Sequence, residues 1–211
     1  MPVKRAGAPA PNNAAMLQVR IHGRGGQGVV TAAEMLSVAA FRQGRYAQAF
    51  PSFGSERTGA PVVAFCRIDE RDIRLREPIV EPDVLIVQDP TLLHQVDVFQ
   101  GLKPDGYVLI NTRRSFDELG LAEIGRRYRH ERLCTVPATE IALRHLGRPL
   151  PGAVLLGGFA ALSGLIELDA VAHAIRAKFS GKVAEGNVAA ASEAHDHVER
   201  EMEELGHARA D

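Results

Sequence analysis

The chain reads as an α/β protein: a mainly parallel sheet flanked by helices in a Rossmann-like three-layer arrangement, with a C-terminal helical segment. Three observations predict this. Short β-branched runs alternate with helical spacing from Leu17 to Leu146. The run Pro82-Asp-Val-Leu-Ile-Val-Gln88 is nearly continuously apolar, as a parallel strand covered on both faces must be. Gly23-Arg-Gly-Gly-Gln-Gly28 leaves an apolar run and enters a helical pattern, which is the context of a strand–loop–helix.

Each element follows in order. Residues 17–22 alternate and open into the glycine loop, which predicts a first strand. Residues 31–42 place Ala, Leu and Val at helical spacing, and Gly44 is set to end that helix. Residues 46–53 and 61–68 are both extended with no helix between them, so a non-parallel pair or an edge excursion is expected there. Residues 82–88 give the next strand, and Asp89-Pro90 reads as an N-cap followed by proline, opening a helix to about Phe99. Residues 106–111 and 132–136 are further strands; residues 115–128 and 138–146 are expected as helices. Beyond Gly147-Arg-Pro-Leu-Pro-Gly152 the pattern becomes helical throughout: an almost uncharged helix over 154–165, then 168–178 and 187–205, the last ending in a solvated acidic face.

Composition narrows the function classes. With 211 residues, 45% of them hydrophobic, one substantial core is expected. A formal net charge of −1 points to neither nucleic acid nor an anionic membrane as partner. No apolar run is long enough to span a bilayer, and residues 1–16 form a Pro/Ala/Asn-rich, disordered lead-in without a signal peptide's apolar centre, so a cytoplasmic location is expected. Cys66 and Cys134 belong to no C-x-x-C, and Cys66 reads as a buried small hydrophobe.

The glycine loop invites a dinucleotide reading, which requires a carboxylate about 20 residues further on to hold the ribose hydroxyls. Residues 45–53 contain no Asp or Glu. Two readings remain: a tight strand-to-helix turn, or a site for an anionic or polar ligand at the helix N-terminus, with Arg24 and Gln27 adding donors. A second constellation, Gln48-Ala-Phe-Pro-Ser-Phe-Gly-Ser-Glu-Arg-Thr-Gly-Ala-Pro61, mixes turn formers with Phe50, Phe53, Glu56 and Arg57, a composition typical of binding loops and interfaces. The histidines add little. His22 sits beside the glycine loop, while His195 and His197 are two apart on a predicted helix and make a poor metal pair. No catalytic triad, carboxylate dyad or metal cluster emerges, so the chain looks like a binding or assembly unit.

The two constellations together resemble the gamma subunit of 2-oxoacid:ferredoxin oxidoreductases, above all those acting on pyruvate. The resemblance is carried by Gly23-Arg-Gly-Gly-Gln-Gly-Val-Val-Thr-Ala-Ala-Glu34, Tyr46-Ala-Gln-Ala-Phe-Pro-Ser-Phe-Gly-Ser-Glu-Arg57 and Gly59-Ala-Pro-Val62. Ile79-Val-Glu-Pro-Asp-Val84, Asp89-Pro-Thr-Leu-Leu93, Leu155-Leu-Gly157 and Asn187-Val-Ala-Ala190 agree, and the likeness spans about Leu17 to His195. Ser55, Thr58 and Gly152 stand where the family commonly has proline, arginine and asparagine.

The resemblance implies oxidative decarboxylation of a 2-oxoacid with coenzyme A as co-substrate, giving an acyl-CoA, carbon dioxide and reduced ferredoxin or a similar acceptor. It implies alpha and beta partner subunits, and a ferredoxin-like delta subunit in some members, which hold the thiamine diphosphate and iron–sulfur clusters. Residues 17–198 would form the gamma-type domain and 199–211 a polar tail. Gly25, Gly26, Gln27 and Gly28, with Ser52, Phe53, Glu56 and Arg57, would lie on the coenzyme A side of the active centre, and no residue here would be a catalytic acid or base. The competing readings are a free-standing nucleotide- or coenzyme-binding module, an NAD(P)-dependent enzyme, and a subunit acting on indolepyruvate or 2-oxoglutarate.

Overall fold

A computed structural model describes residues 16–52 and 58–207. The strands are β1 (Leu17–Arg24), β2 (Tyr46–Pro51), β3 (Pro61–Asp69), β4 (Val84–Val87), β5 (Tyr107–Asn111) and β6 (Leu133–Val136). The helices are α1 (Val29–Arg42), α2 (Ala122–Arg127), α3 (Ala138–Leu146), α4 (Gly152–Ser163), α5 (Leu168–Lys178) and α6 (Gly181–His207). The strands form one sheet in the order β2-β3-β1-β4-β5-β6. β1, β4, β5 and β6 run parallel; β3 pairs antiparallel with β1, and β2 antiparallel with β3. The pair of extended segments without an intervening helix is therefore the antiparallel edge.

Alternation along β1 decides which face holds what. Val19 and Ile21 point into the larger core, which also gathers buried residues of α1, α4 and α5. Arg20 and His22 point to the opposite face, whose smaller core gathers Leu85, Val87, Val98, Leu102, Val108 and Ile110 under the 90–132 segment. Helix α4 is buried along nearly its whole length, as its lack of charge demands. It packs against α6 closely enough that a Cβ on Gly157 would lie 2.0 Å from the carbonyl oxygen of Ala191. That contact explains the glycine.

Three expected helices differ from the structure, each for a tertiary or local reason. Asp89 does cap and Pro90 does start a turn, but this is a 3-10 turn ending at His94. Beyond it, Arg20 draws the carbonyls of Val98 and Gln100 to its guanidinium at 2.9 and 2.6 Å. Ser115 and Glu118 exchange side-chain-to-backbone hydrogen bonds, a capping box, yet the helix does not continue. Gly120 adopts φ of 73°, and α2 restarts only at Ala122. Helix α6 starts at Gly181, six residues before the expected Asn187, because Gly186 packs instead of breaking it, with Leu146 2.9 Å from its would-be Cβ. The expected lead-in before Met16 lies outside the described residues.

Candidate functional site

The carboxyl end of β1 meets that of β4 where the chain reverses its direction of travel across the sheet, the place where open α/β sheets accept ligands. The glycine loop occupies this point. A Cβ on Gly23 would lie 2.6 Å from Val29 Cγ2, so the first glycine permits the close strand–helix approach. Gly26 and Gly28 have φ of 92° and 73°, a region open to glycine and costly for side chains. Gly28 caps α1 without any side-chain hydrogen bond, leaving the first N–H groups of the helix free for another partner.

The glycine loop is joined to the second constellation. Gly25 N–H donates to Ala60 O at 2.9 Å, Gly59 N–H donates to Gly25 O at 3.0 Å, and Gly25 bridges Thr58 in parallel fashion. Arg24 Nη1 donates to Gly59 O at 3.0 Å. The exposed Ser52 donates its N–H to Val63 O at 2.8 Å. Phe53, Glu56 and Arg57 lie outside the described residues. The glycine-loop residues and the flanks of the second loop thus form one surface at the end of β1.

Asp89 fixes that surface from beneath. Its Oδ2 accepts from Arg24 Nε at 3.1 Å and Gln27 Nε2 at 2.9 Å; its Oδ1 accepts from Thr91 N at 3.0 Å and Thr91 Oγ1 at 2.5 Å. Gln27 Oε1 in turn accepts from Arg24 N at 2.8 Å. Burial pushes the Asp89 carboxyl upward, but the hydrogen bonds from Thr91 and Gln27 and the Arg24 charge outweigh it, so its pKa lies below the usual value. The Gln27 amide and the Arg24 guanidinium are therefore both tied to Asp89. Asp89 was legible in the sequence only as a helix cap. Its link to residues 62 and 65 positions earlier had no local signal.

Two further polar groups sit at this end of the sheet. His22 is buried, and desolvation followed by the Arg20 charge depresses its pKa to about 4, so the ring is neutral at pH 7. Gln88 is 1% exposed, and among the described residues neither side-chain polar atom has a hydrogen-bond partner. Its Nε2 lies 3.4 Å from the point where a Cβ of Gly152 would sit.

Beside the glycine loop opens a cleft of about 680 Å³, bordered by Gly26, Gly28 and Thr31 on one side and by residues between His145 and Asn187 on the others. Lys178 and Lys182, two of the four lysines in the chain, line it. Among the described residues, the cleft holds no nucleophile–base pair.

The donor set does not suit an iron–sulfur cluster. Such clusters take thiolates, usually four, and the chain has two cysteines on separate strands. Both are buried, and desolvation pushes each thiol up to about 12. On α6, His195, Asp196 and Glu199 approach one another within 4.8 Å, an arrangement whose two carboxylates are solvent-exposed and common without an ion.

Residues 18–197 match the model of the pyruvate ferredoxin/flavodoxin oxidoreductase family. The chain belongs to that family. It is 50% identical, over 87% of its length and 98% of the relative's, to the pyruvate/ketoisovalerate oxidoreductases common subunit gamma of Pyrococcus abyssi. The crystal structure of the pyruvate oxidoreductase subunit PORC of Thermotoga maritima superposes with a TM-score of 0.71 at 34% identity, covering 86% of this chain and 96% of that one. A 2-oxoglutarate:ferredoxin oxidoreductase from Magnetococcus marinus, solved with 2-oxoglutarate, coenzyme A and succinyl-CoA bound, shares the fold: TM-score 0.64, 16% identity, 89% of this chain and 32% of that one. The resemblance read from the two loops is borne out. The NAD(P) reading loses its structural basis as well, since β2 is an antiparallel edge strand and not the parallel neighbour that carries a ribose-binding carboxylate.

Proposed function

We propose that this member of the pyruvate ferredoxin/flavodoxin oxidoreductase family is the gamma subunit of a cytoplasmic complex. The complex converts pyruvate and coenzyme A to acyl-CoA and carbon dioxide and passes the electrons to ferredoxin. Thiamine diphosphate and the iron–sulfur clusters reside in alpha, beta and ferredoxin-like partner chains, where the carbon chemistry and electron transfer take place. This chain supplies the coenzyme A side through Gly25, Gly26, Gln27 and Gly28, together with Ser52, Phe53, Glu56 and Arg57. Gln27 acts there by shaping the loop through Arg24 and Asp89.

The observation that carries the reading is the joining of the two loops by the Gly25–Thr58 bridge and the Arg24–Gly59 hydrogen bond. Residues 33 positions apart, Gly25 and Thr58, thereby join the two motifs into one backbone-rich rim with a neutral His22 beneath. Such a rim suits binding and orienting a ligand.

The test is kinetic, on the assembled complex. Gly26→Val forces a β-branched residue into a left-handed conformation and reshapes the rim. The expected result is a Michaelis constant for coenzyme A raised at least tenfold, with that for pyruvate unchanged. Equal coenzyme A constants in variant and wild type, or turnover of a 2-oxoacid by this chain alone, would overturn the reading.

A further inference from the structure

Alternation places Arg20, His22 and Arg24 on one face of β1, the face turned away from α1. Over this face runs the segment 89–100, and the two arginines grip it at its ends. Arg24 Nη2 donates to Thr91 Oγ1 at 2.7 Å and to Gln95 Oε1 at 2.9 Å, beside the bond of its Nε to Asp89. Arg20 Nη2 donates to the carbonyls of Val98 and Gln100. Four residues of strand, about 13 Å, separate the two grips.

Between the grips the segment is stitched into a short strap. Asp89 Oδ1 accepts from Thr91 N–H, the N–H groups of Gln95 and Val96 both donate to Leu92 O at 3.0 Å, and Val98 N–H donates to Val96 O at 2.9 Å. Leu92 and Val98 are each 1% exposed and anchor the strap in the smaller core. A run of turns bonded in this way passes a displacement at Val98 on to Gln95 and Thr91. Arg20 itself is buried and bonded to no carboxylate among the described residues; Asp97 acts on its charge from further off. Burying a guanidinium in that state is costly, and an apolar side chain would fill the space without the cost. What only a donor supplies here is a seat for two strap carbonyls.

We propose that Arg20 is a positioning residue for the rim. It seats the 89–100 strap on β1, and the strap orients Arg24 through Thr91 and Gln95. Arg24 Nη1 in turn holds Gly59 O against the glycine loop. The relay stands on these hydrogen bonds alone; that the rim so positioned receives coenzyme A rests on the functional reading above.

Amide hydrogen exchange on the full chain reads the positioning, and kinetics on the assembled complex read its use. Arg20→Met removes the donors at similar length; Arg20→Lys keeps a charged donor at the tip. In Arg20→Met, the N–H groups of Gly25 and Gly59, which bond Ala60 O and Gly25 O, should exchange at least tenfold faster while those of β5 exchange as in wild type. Arg20→Lys should restore most of the protection. Arg24→Met should give the same acceleration, and the double variant Arg20→Met/Arg24→Met no more than twofold beyond it, because both act along one path. In the complex, the Michaelis constant for coenzyme A should rise at least tenfold in Arg20→Met and return towards wild type in Arg20→Lys, with kcat held. Thr91→Val/Gln95→Ala changes only exposed side chains, cuts the strap from Arg24, and should reproduce the exchange result even if Arg20→Met does not fold. Faster rim exchange with an unchanged coenzyme A constant keeps Arg20 in its role and removes coenzyme A from the rim, a point that Gly26→Val judges separately. Rim exchange within twofold of wild type in Arg20→Met or in Thr91→Val/Gln95→Ala overturns the proposal. So does equal acceleration in β5, or effects that multiply in full in the double variant.

Discussion

Asp89 accepts from Arg24, Gln27 and Thr91, and through them it holds the glycine loop and the Thr58–Ala60 arm in one relation. Asp89→Asn keeps the shape but turns an acceptor into a donor or removes its charge, at a cost of about 1.5–3 kcal/mol for charge-assisted hydrogen bonds. Urea unfolding at pH 7 should show that loss. The sign with pH follows from the depressed carboxyl: its contribution is present above the unfolded value and disappears as pH falls through the lower folded one, so variant and wild type converge in acid. His22 gives the opposite experiment. Its ring titrates at about 4 when folded against 6.5 unfolded, so below pH 6.5 the unfolded chain takes up a proton that the fold refuses. Stability should fall by about 3 kcal/mol between pH 6.5 and 4 on this account. His22→Gln should flatten that segment of the pH profile; an unchanged slope would place the pH dependence elsewhere.

Among the elements, α4 shows what patterning can and cannot convey. Its uncharged sequence announces burial, and the sheet runs, the antiparallel edge and α5 are equally legible in hydrophobic period. The 3-10 turn after Asp89 is not: it stops at His94, and Arg20, far away in sequence, binds the carbonyls of Val98 and Gln100 beyond it. The glycine loop could be found from spacing. The cleft could not, since its cations come from the link before α4 and from the junction of α5 and α6, and only folding brings them to Gly28. Glycine substitutions separate packing from propensity on these helices. Gly157→Ala drives a methyl into the Ala191 backbone, which no rotamer can relieve, and should cost about 3 kcal/mol or more in thermal unfolding. Gly125→Ala in α2 meets nothing within 4 Å and should add about 0.5–1 kcal/mol. Similar effects for the two would contradict the α4–α6 contact.

At the scale of the whole molecule, the sheet carries a built-in pair of reporters. Cys66 lies on β3, inside the sheet between β2 and β1; Cys134 lies on β6, the strand at the opposite edge. Desolvation holds both thiols up at about 12, so neither is a nucleophile while covered. Labelling by an alkylating reagent therefore measures opening, and its denaturant dependence measures how much of the molecule opens. Cys66 has β2, β1, α1 and the larger core around it, so its exposure requires global unfolding. β6 is a four-residue strand hydrogen-bonded on one side only, to β5, and its neighbour α3 packs chiefly on α6. An edge of that kind can detach without the rest. Cys134 should thus label faster than Cys66 and with a shallower urea dependence, while Cys66 follows the full unfolding equilibrium. Equal rates and slopes would mean that the sheet opens as one unit. Labelling of Cys66 in native buffer within seconds would contradict the packing of β3 itself.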